Sequence, residues 1–106
     1  MPDVTLTASD TGKTIAVNRN DIVTLQLGES ASTGYLWTIT APDGVTVLHE
    51  EHVQPPDAMI GGGGTKYFRL LVSRAGTFVV RASLARPWQG AGPPTEQLVF
   101  VLAAEP

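Results

Sequence analysis

The stretch FRLLVSRAGTFVVRASL, residues 68–84, places an apolar side chain at every second position on both sides of a corner at Ala75-Gly76. The alternating residues are Phe68, Leu70 and Val72 before the corner, and Phe78, Val80, Ala82 and Leu84 after it. Because successive side chains of a β-strand point to opposite faces, this pattern buries one face of each strand. The stretch therefore predicts two neighbouring strands joined by a tight turn.

The same period of two continues through residues 23–27, 35–39 and 98–102, and more weakly through Val45–Val53. Two N-terminal runs, Val4–Ala8 and Thr14–Val17, are interpreted as one strand broken near residues 10–12. No stretch has a helical period. Short strands at regular spacing predict an all-β, immunoglobulin-like β-sandwich of about seven to eight antiparallel strands, labelled A to G, with a small barrel as the alternative.

Length and composition fit a single domain spanning residues 1–106, with 42% hydrophobic residues and a net charge of −3. The acidic balance argues against a nucleic-acid partner, and without an apolar run of membrane-spanning length we expect no membrane insertion. The chain contains no cysteine, which excludes disulfides, thiolate–metal sites and a cysteine nucleophile. We expect no cofactor and a monomer when free. The N-terminus has neither a basic start nor an apolar segment, so we expect a soluble chain without a signal peptide, with a removed signal peptide as the alternative, and the compartment stays open.

Three connections carry unusual residues. The B–C loop is Ser30–Gly34, the D–E loop contains Met59–Thr65, and the F–G loop begins at residues 86–90. Strands that run up and down reverse at each loop, so these three loops emerge at one end of the sandwich. Binding loops cluster in this way in antibody variable domains. The alternating direction of the strands therefore predicts a binding surface at this end.

Each loop has a physical reason to bind. Gly34 can adopt a positive φ and turn the chain before Tyr35. The four glycines Gly61–Gly64 leave a bare backbone that suits pairing with a peptide-binding groove. Pro87 stiffens the stem that presents Trp88, a residue type enriched at interface hot spots. Separately, each feature is also compatible with a plain turn, a flexible loop or a tryptophan packed on the core.

The three motifs together resemble the chagasin family of peptidase inhibitors. That family carries an Asn-Pro-Thr-Thr-Gly-aromatic loop, a Gly-x-Gly-Gly loop and an Arg-Pro-Trp or Arg-Pro-Phe loop. The corresponding residues here are Ser30, Ala31, Ser32, Thr33, Gly34 and Tyr35, then Gly61, Gly62, Gly63 and Gly64, then Arg86, Pro87 and Trp88. Trp37 also matches the family, and the resemblance covers essentially the whole chain.

The resemblance implies a reversible, tight-binding inhibitor that occludes the active-site cleft of a papain-like cysteine peptidase. It places Thr33 beside the catalytic cysteine and histidine, Gly61–Gly64 along the non-primed side and Trp88 on the primed side. Arg86 either holds its loop or pairs with an acidic rim. Ser30 and Ala31 depart from the family's Asn-Pro, and loss of the proline leaves the free loop less preorganised, which predicts weaker inhibition or an altered target range.

Other functions have weaker support. His49 and His52 are three residues apart rather than four, and along a strand this spacing points them to opposite faces, so we expect surface histidines and no metal site. Residues 61–66 do not form a phosphate loop, because Thr65 separates Gly64 from Lys66 and a strand follows. We therefore expect no enzyme. The remaining alternative is a non-catalytic immunoglobulin-like module for adhesion or assembly.

Overall fold

The chain folds into two four-stranded sheets in a computed structural model that describes residues 3–29, 34–53, 64–86 and 96–106. The strands are β1 (Asp3–Thr7), β2 (Thr14–Asn18), β3 (Ile22–Glu29), β4 (Leu36–Thr40), β5 (Val45–Val53), β6 (Gly64–Val72), β7 (Gly76–Ala85) and β8 (Glu96–Glu105). One turn of 3-10 helix, Ala8–Asp10, lies between the first two strands. Within the described residues, no helix is long and apolar enough to cross a membrane.

The sheets have the strand orders β1-β3-β6-β5 and β2-β8-β7-β4. The prediction of an all-β sandwich with seven to eight strands is confirmed: strands B to G are β3 to β8. The pairings of β3 with β6, β5 with β6, β4 with β7 and β7 with β8 are antiparallel, as expected. The pairings of β1 with β3 and β2 with β8 are parallel, so each sheet is mixed.

The interpretation of the N-terminal runs as one broken strand is wrong. β1 runs parallel to β3, whereas β2 runs parallel to β8, which has the opposite direction. The chain therefore reverses between the two strands and crosses from one sheet to the other. Gly12 N–H donates to the Val99 carbonyl at 2.7 Å and fixes the new register. The alternation of apolar residues predicts both strands, but it does not indicate the direction in which either strand runs.

The core lies between the two sheets and follows the alternation seen in the sequence. In β3 the buried positions are every second residue, and β8 repeats this pattern. The largest side chains with almost no exposed surface are Phe68, Phe100, Leu25, Leu27, Leu70 and Leu102. Burying such apolar surface contributes about 25 cal/mol per Å², so this layer holds the sheets together.

The sandwich has two distinct ends. At the loop end, β3, β5 and β7 finish and β4, β6 and β8 begin; at the far end, short turns at residues 19–21, 41–44 and 73–75 connect the strands. The predicted binding loops all depart from the loop end. The three turns at residues 19–21, 41–44 and 73–75 belong to the far end, whereas the short connection of β1 to β2 lies towards the loop end.

Candidate functional site

The structure describes four of the predicted site residues: Gly34, Tyr35, Gly64 and Arg86. Ser30, Ala31, Ser32, Thr33, Gly61, Gly62, Gly63, Pro87 and Trp88 lie outside the described residues. Gly34 has a φ of 82°, the positive value predicted for it. What the structure shows of the site is therefore its base, the strand ends from which the three loops depart.

The strand ends that carry the three loops meet at one end of the molecule. In the first sheet, Gly64 at the start of β6 pairs with Glu29 at the end of β3, beside β5. In the second sheet, Leu36 pairs with Ala85 at the end of β7, and β8 begins alongside. The Trp37 backbone N–H donates to Glu29 Oε2 at 2.7 Å and joins the two sheets. The strand ends from which the three loops depart therefore lie together at one end, as the alternating direction of the strands predicts.

Tyr35 and Arg86 connect the base of the B–C loop to the base of the F–G loop. The guanidinium carbon of Arg86 lies 4.4 Å from the centroid of the Tyr35 ring. At this distance the cation is attracted by the negative face of the ring, and the planar guanidinium can stack on it. The two roles predicted for Arg86, holding its loop or pairing with an acidic rim, stay predictions.

Glu29 connects the base of the B–C loop to the base of the D–E loop. Its side chain is only 1% exposed. Oε2 accepts from Trp37, while Oε1 lies 2.7 Å from His52 Nδ1. An ionised carboxylate has no proton to give, so with Glu29 ionised the bond requires a hydrogen on Nδ1 that His52 donates. One buried carboxylate thus contacts β4 and β5 from the last position of β3.

The expectation that His52 is a surface histidine is wrong. Its side chain is 22% exposed and bonded to Glu29. The cause is a β-bulge in β5, where the register with β6 shifts between Val47 and His49. An extra residue in a strand exchanges the faces of all later side chains. His52 consequently pairs with Lys66 and shares its face, which is also the face of buried Phe68.

His49 fits the surface expectation. Its side chain is 57% exposed, and Nε2 lies 3.6 Å from Glu51 Oε2, which is equally accessible. Such an exposed pair contributes little to stability. Among the described residues, no group of three or more His, Asp or Glu side chains could hold a metal ion.

Gly64 provides the space in which Glu29 and His52 meet. A Cβ on this residue would lie 2.6 Å from the Val53 carbonyl oxygen and 2.8 Å from His52 Nε2. Both distances are shorter than van der Waals contact, so a side chain would displace the imidazole or the backbone. The last of the four glycines therefore belongs to β6 and is required there by close packing.

Sequence reasoning missed the Glu29–His52 pair, although half of it had a signal. Val23, Leu25 and Leu27 occupy the buried face of β3, and the same period of two places Glu29 on that face. A carboxylate at a buried position needs a donor. The partner could not be identified in the same way, because only the bulge turns His52 inward.

Comparisons with known proteins agree with this architecture. The profile of a family described as chagasin family peptidase inhibitors matches residues 16–103. Chagasin from Trypanosoma cruzi is 31% identical over 105 residues, covering 93% of this chain and 96% of chagasin.

Solved structures are similar as well. A cysteine protease inhibitor from Entamoeba histolytica superposes with a TM-score of 0.86 at 23% identity, covering 97% of this chain and 95% of its own. PbICP-C, solved in complex with falcipain-2, gives a TM-score of 0.56 at 17% identity, covering 99% and 91%. At these identities the two structures establish a common fold.

Proposed function

The chain belongs to the chagasin family of peptidase inhibitors, and we propose that it inhibits papain-like cysteine peptidases by filling their active-site cleft with the B–C, D–E and F–G loops. The family is one of peptidase inhibitors, not of enzymes. The observation that carries the proposal is the meeting of the three loop bases at one end, in a chain with the three family motifs in order.

The proposed mechanism is steric and reversible. Thr33 enters the cleft beside the catalytic cysteine and histidine, where its hydroxyl can donate or accept a hydrogen bond. The glycines of the D–E loop run along the non-primed side through backbone contacts. Trp88 packs against aromatic surface on the primed side. No scissile bond is presented, so the inhibitor leaves the complex intact.

Contacts at the loop end support this mechanism. Affinity depends on how much of the binding geometry exists before the complex forms, because ordering loops opposes association. Tyr35 with Arg86 and Glu29 with His52 tie the bases of all three loops to one another. Such ties suit loops that must enter one groove together. The complex of PbICP-C with falcipain-2 offers a precedent for a related fold bound to a partner protein.

A titration of papain tests the proposal. We expect a one-to-one loss of peptidase activity that is recovered on dilution, with the inhibitor intact by mass spectrometry. Trp88→Ala should raise the inhibition constant about 30-fold or more, as for a hot-spot tryptophan that contributes at least about 2 kcal/mol. Thr33→Ala should raise it about tenfold through a lost buried hydrogen bond.

Circular dichroism and urea unfolding provide the control, because both residues belong to loops and their replacement should leave the fold and its stability unchanged. Unchanged inhibition constants for both variants would show that the assigned loops are not the binding site. Full activity of several papain-like peptidases in the presence of the wild-type chain would contradict the proposed function itself.

A further inference from the structure

A single buried carboxylate contacts the bases of two loops that are separate in the sequence. Glu29 is the last residue of β3, directly before the B–C loop, and Trp37 lies at the other base of that loop. His52 is the penultimate residue of β5, before the segment that carries the D–E loop. Glu29 therefore holds both bases of the first loop and one base of the second.

These hydrogen bonds are energetically demanding. A carboxylate with 1% of its side chain exposed has almost no water to solvate its charge. It depends on two donors, the Trp37 N–H and His52 Nδ1–H, each at 2.7 Å. Charge-assisted hydrogen bonds of this length are strong, and removing one donor leaves buried charge uncompensated. The pair should therefore resist displacement when the loops meet a partner.

The geometry also fixes the separation of the two loop bases. β3 and β5 are not neighbours: β6 lies between them, so they are two strand spacings, about 10 Å, apart. Glu29 and His52 span this gap in front of β6, where Gly64 has no side chain to obstruct them. The bridge adds a direct tie between β3 and β5 to the pairing of each with β6, and so helps to set how the chain after His52 approaches the B–C loop.

We propose that Glu29 is a positioning residue for inhibition, acting through His52 to hold the bases of the B–C and D–E loops at the spacing that the peptidase cleft accepts. The proposal rests on the inhibitory function proposed above. It assigns no contact with the peptidase to Glu29 or His52. Their effect on inhibition comes from the preorganisation of loops that do contact it.

Two substitutions of His52 separate the hydrogen bond from the bulk of the ring. His52→Leu fills much of the space but has no donor, whereas the side-chain amide of His52→Asn can donate from nearly the position of Nδ1. We expect His52→Leu to raise the inhibition constant for papain about 30-fold, which corresponds to about 2 kcal/mol. His52→Asn should stay within about threefold of wild type, or about 0.7 kcal/mol.

Equal inhibition constants for wild type and His52→Leu would overturn the proposal, as would an equal loss in both variants, which would assign the effect to the ring. Gly44→Ala at the far end is the control for stability, since it should lower the urea midpoint without changing inhibition. If wild type itself fails to inhibit papain, the proposed function fails. If wild type inhibits and His52→Leu inhibits equally well, only this inference fails.

A spectroscopic test needs no variant and does not depend on whether His52→Leu folds. Proton–nitrogen correlation NMR of the wild-type imidazole rings reports which nitrogen of His52 carries hydrogen. The proposal requires a hydrogen on Nδ1, because Glu29 can only accept. An imidazole of His52 with bare Nδ1 would mean that His52 does not donate to Glu29, and the proposal of a charge-assisted bridge would fail.

Discussion

The two ends of the sandwich differ in which contacts supplement the pairing of the strands. At the far end, backbone groups bond to backbone groups: Asn20 N–H to the Val72 carbonyl at 2.6 Å, Val72 N–H to the Asp21 carbonyl at 3.1 Å, and Ser73 N–H to the Gly44 carbonyl at 2.8 Å. At the loop end, side chains connect the bases of the loops, through Glu29 with His52 and Tyr35 with Arg86.

This difference follows from the length of the connections. A turn of three or four residues brings the backbones of neighbouring strands within hydrogen-bonding distance. At the base of the ten-residue segment 54–63, Val53 still pairs with Thr65 through the backbone, but β6 separates β3 from β5, so only longer groups such as the side chains of Glu29 and His52 reach between those two strands. The far end is thus held mainly by backbone hydrogen bonds, with additions from the side chains of Asp21 and Ser73, while at the loop end side chains add ties between loop bases to the pairing of the strands.

The comparison predicts that far-end variants change stability and loop-end variants change inhibition. Among far-end variants, the largest effect on stability is expected for Gly44→Ala. Gly44 has a φ of 99°, and a Cβ there would lie 2.5 Å from Phe78 Cε1. Strained backbone and overpacking against a buried ring should together destabilise the fold by about 3 kcal/mol in urea unfolding.

Gly12→Ala is the matched control for Gly44→Ala. Gly12 has a φ of 81° but no atom within 4 Å of its Cβ position, so its variant carries the backbone strain without the clash. We expect a loss of about 1 kcal/mol. Equal losses in the two variants would assign the whole effect to φ, and a changed inhibition constant for Gly44→Ala would contradict the separation of the two ends.

A smaller effect, on inhibition rather than on stability, is expected for Arg86→Met. The methionine keeps an apolar chain over Tyr35 but removes the cation. We expect the inhibition constant to rise about fivefold, for a cation–π interaction of about 1 kcal/mol, with little change in stability. Arg86→Lys should give an intermediate value because it retains charge but cannot stack. Wild-type inhibition by both variants would mean that this contact does not preorganise the loops.

The smallest effect is expected for the pKa of Asp10, which lies in the connection between β1 and β2. The pKa of Asp10 lies below its ordinary value of 3.8, first because its carboxylate accepts from the Thr7 backbone N–H, at 2.9 Å. Lys13 Nζ, 3.4 Å from Asp10 Oδ1, lowers this pKa further. A depressed pKa means that the contribution to stability is present above the unfolded-state value and is lost as the pH falls through the folded-state value.

NMR titration of the Asp10 carboxyl group checks this prediction. Lys13→Gln should raise the pKa only slightly, since the backbone hydrogen bond remains. A full return to the ordinary value in this variant would identify Lys13 as the main cause. The result decides whether this connection is fixed by backbone, like the far end, or by side chains, like the bases of the binding loops.

Much of this architecture was predictable because it depends on local patterns. The period of two in residues 68–84 and 98–102 located strands and core, and the corner at residue 76 located a turn. The alternating direction of the strands then predicted that the bases of the three loops lie at one end of the sandwich. The direction of β1 against β2 was not predictable, because alternation is the same whichever way a strand runs. The inward position of His52 was hidden by a bulge that shifts the register of β5.

By itself, the sequence determined which residues form strands, which face of most strands is buried and where the loops begin, because each of these depends on neighbours along the chain. It also carried the three motifs of the family. Only the tertiary structure decided that Glu29 meets His52 across 23 residues and that Arg86 lies over Tyr35. Those contacts depend on sheet order, register and the missing side chain of Gly64, which exist only once the strands have paired.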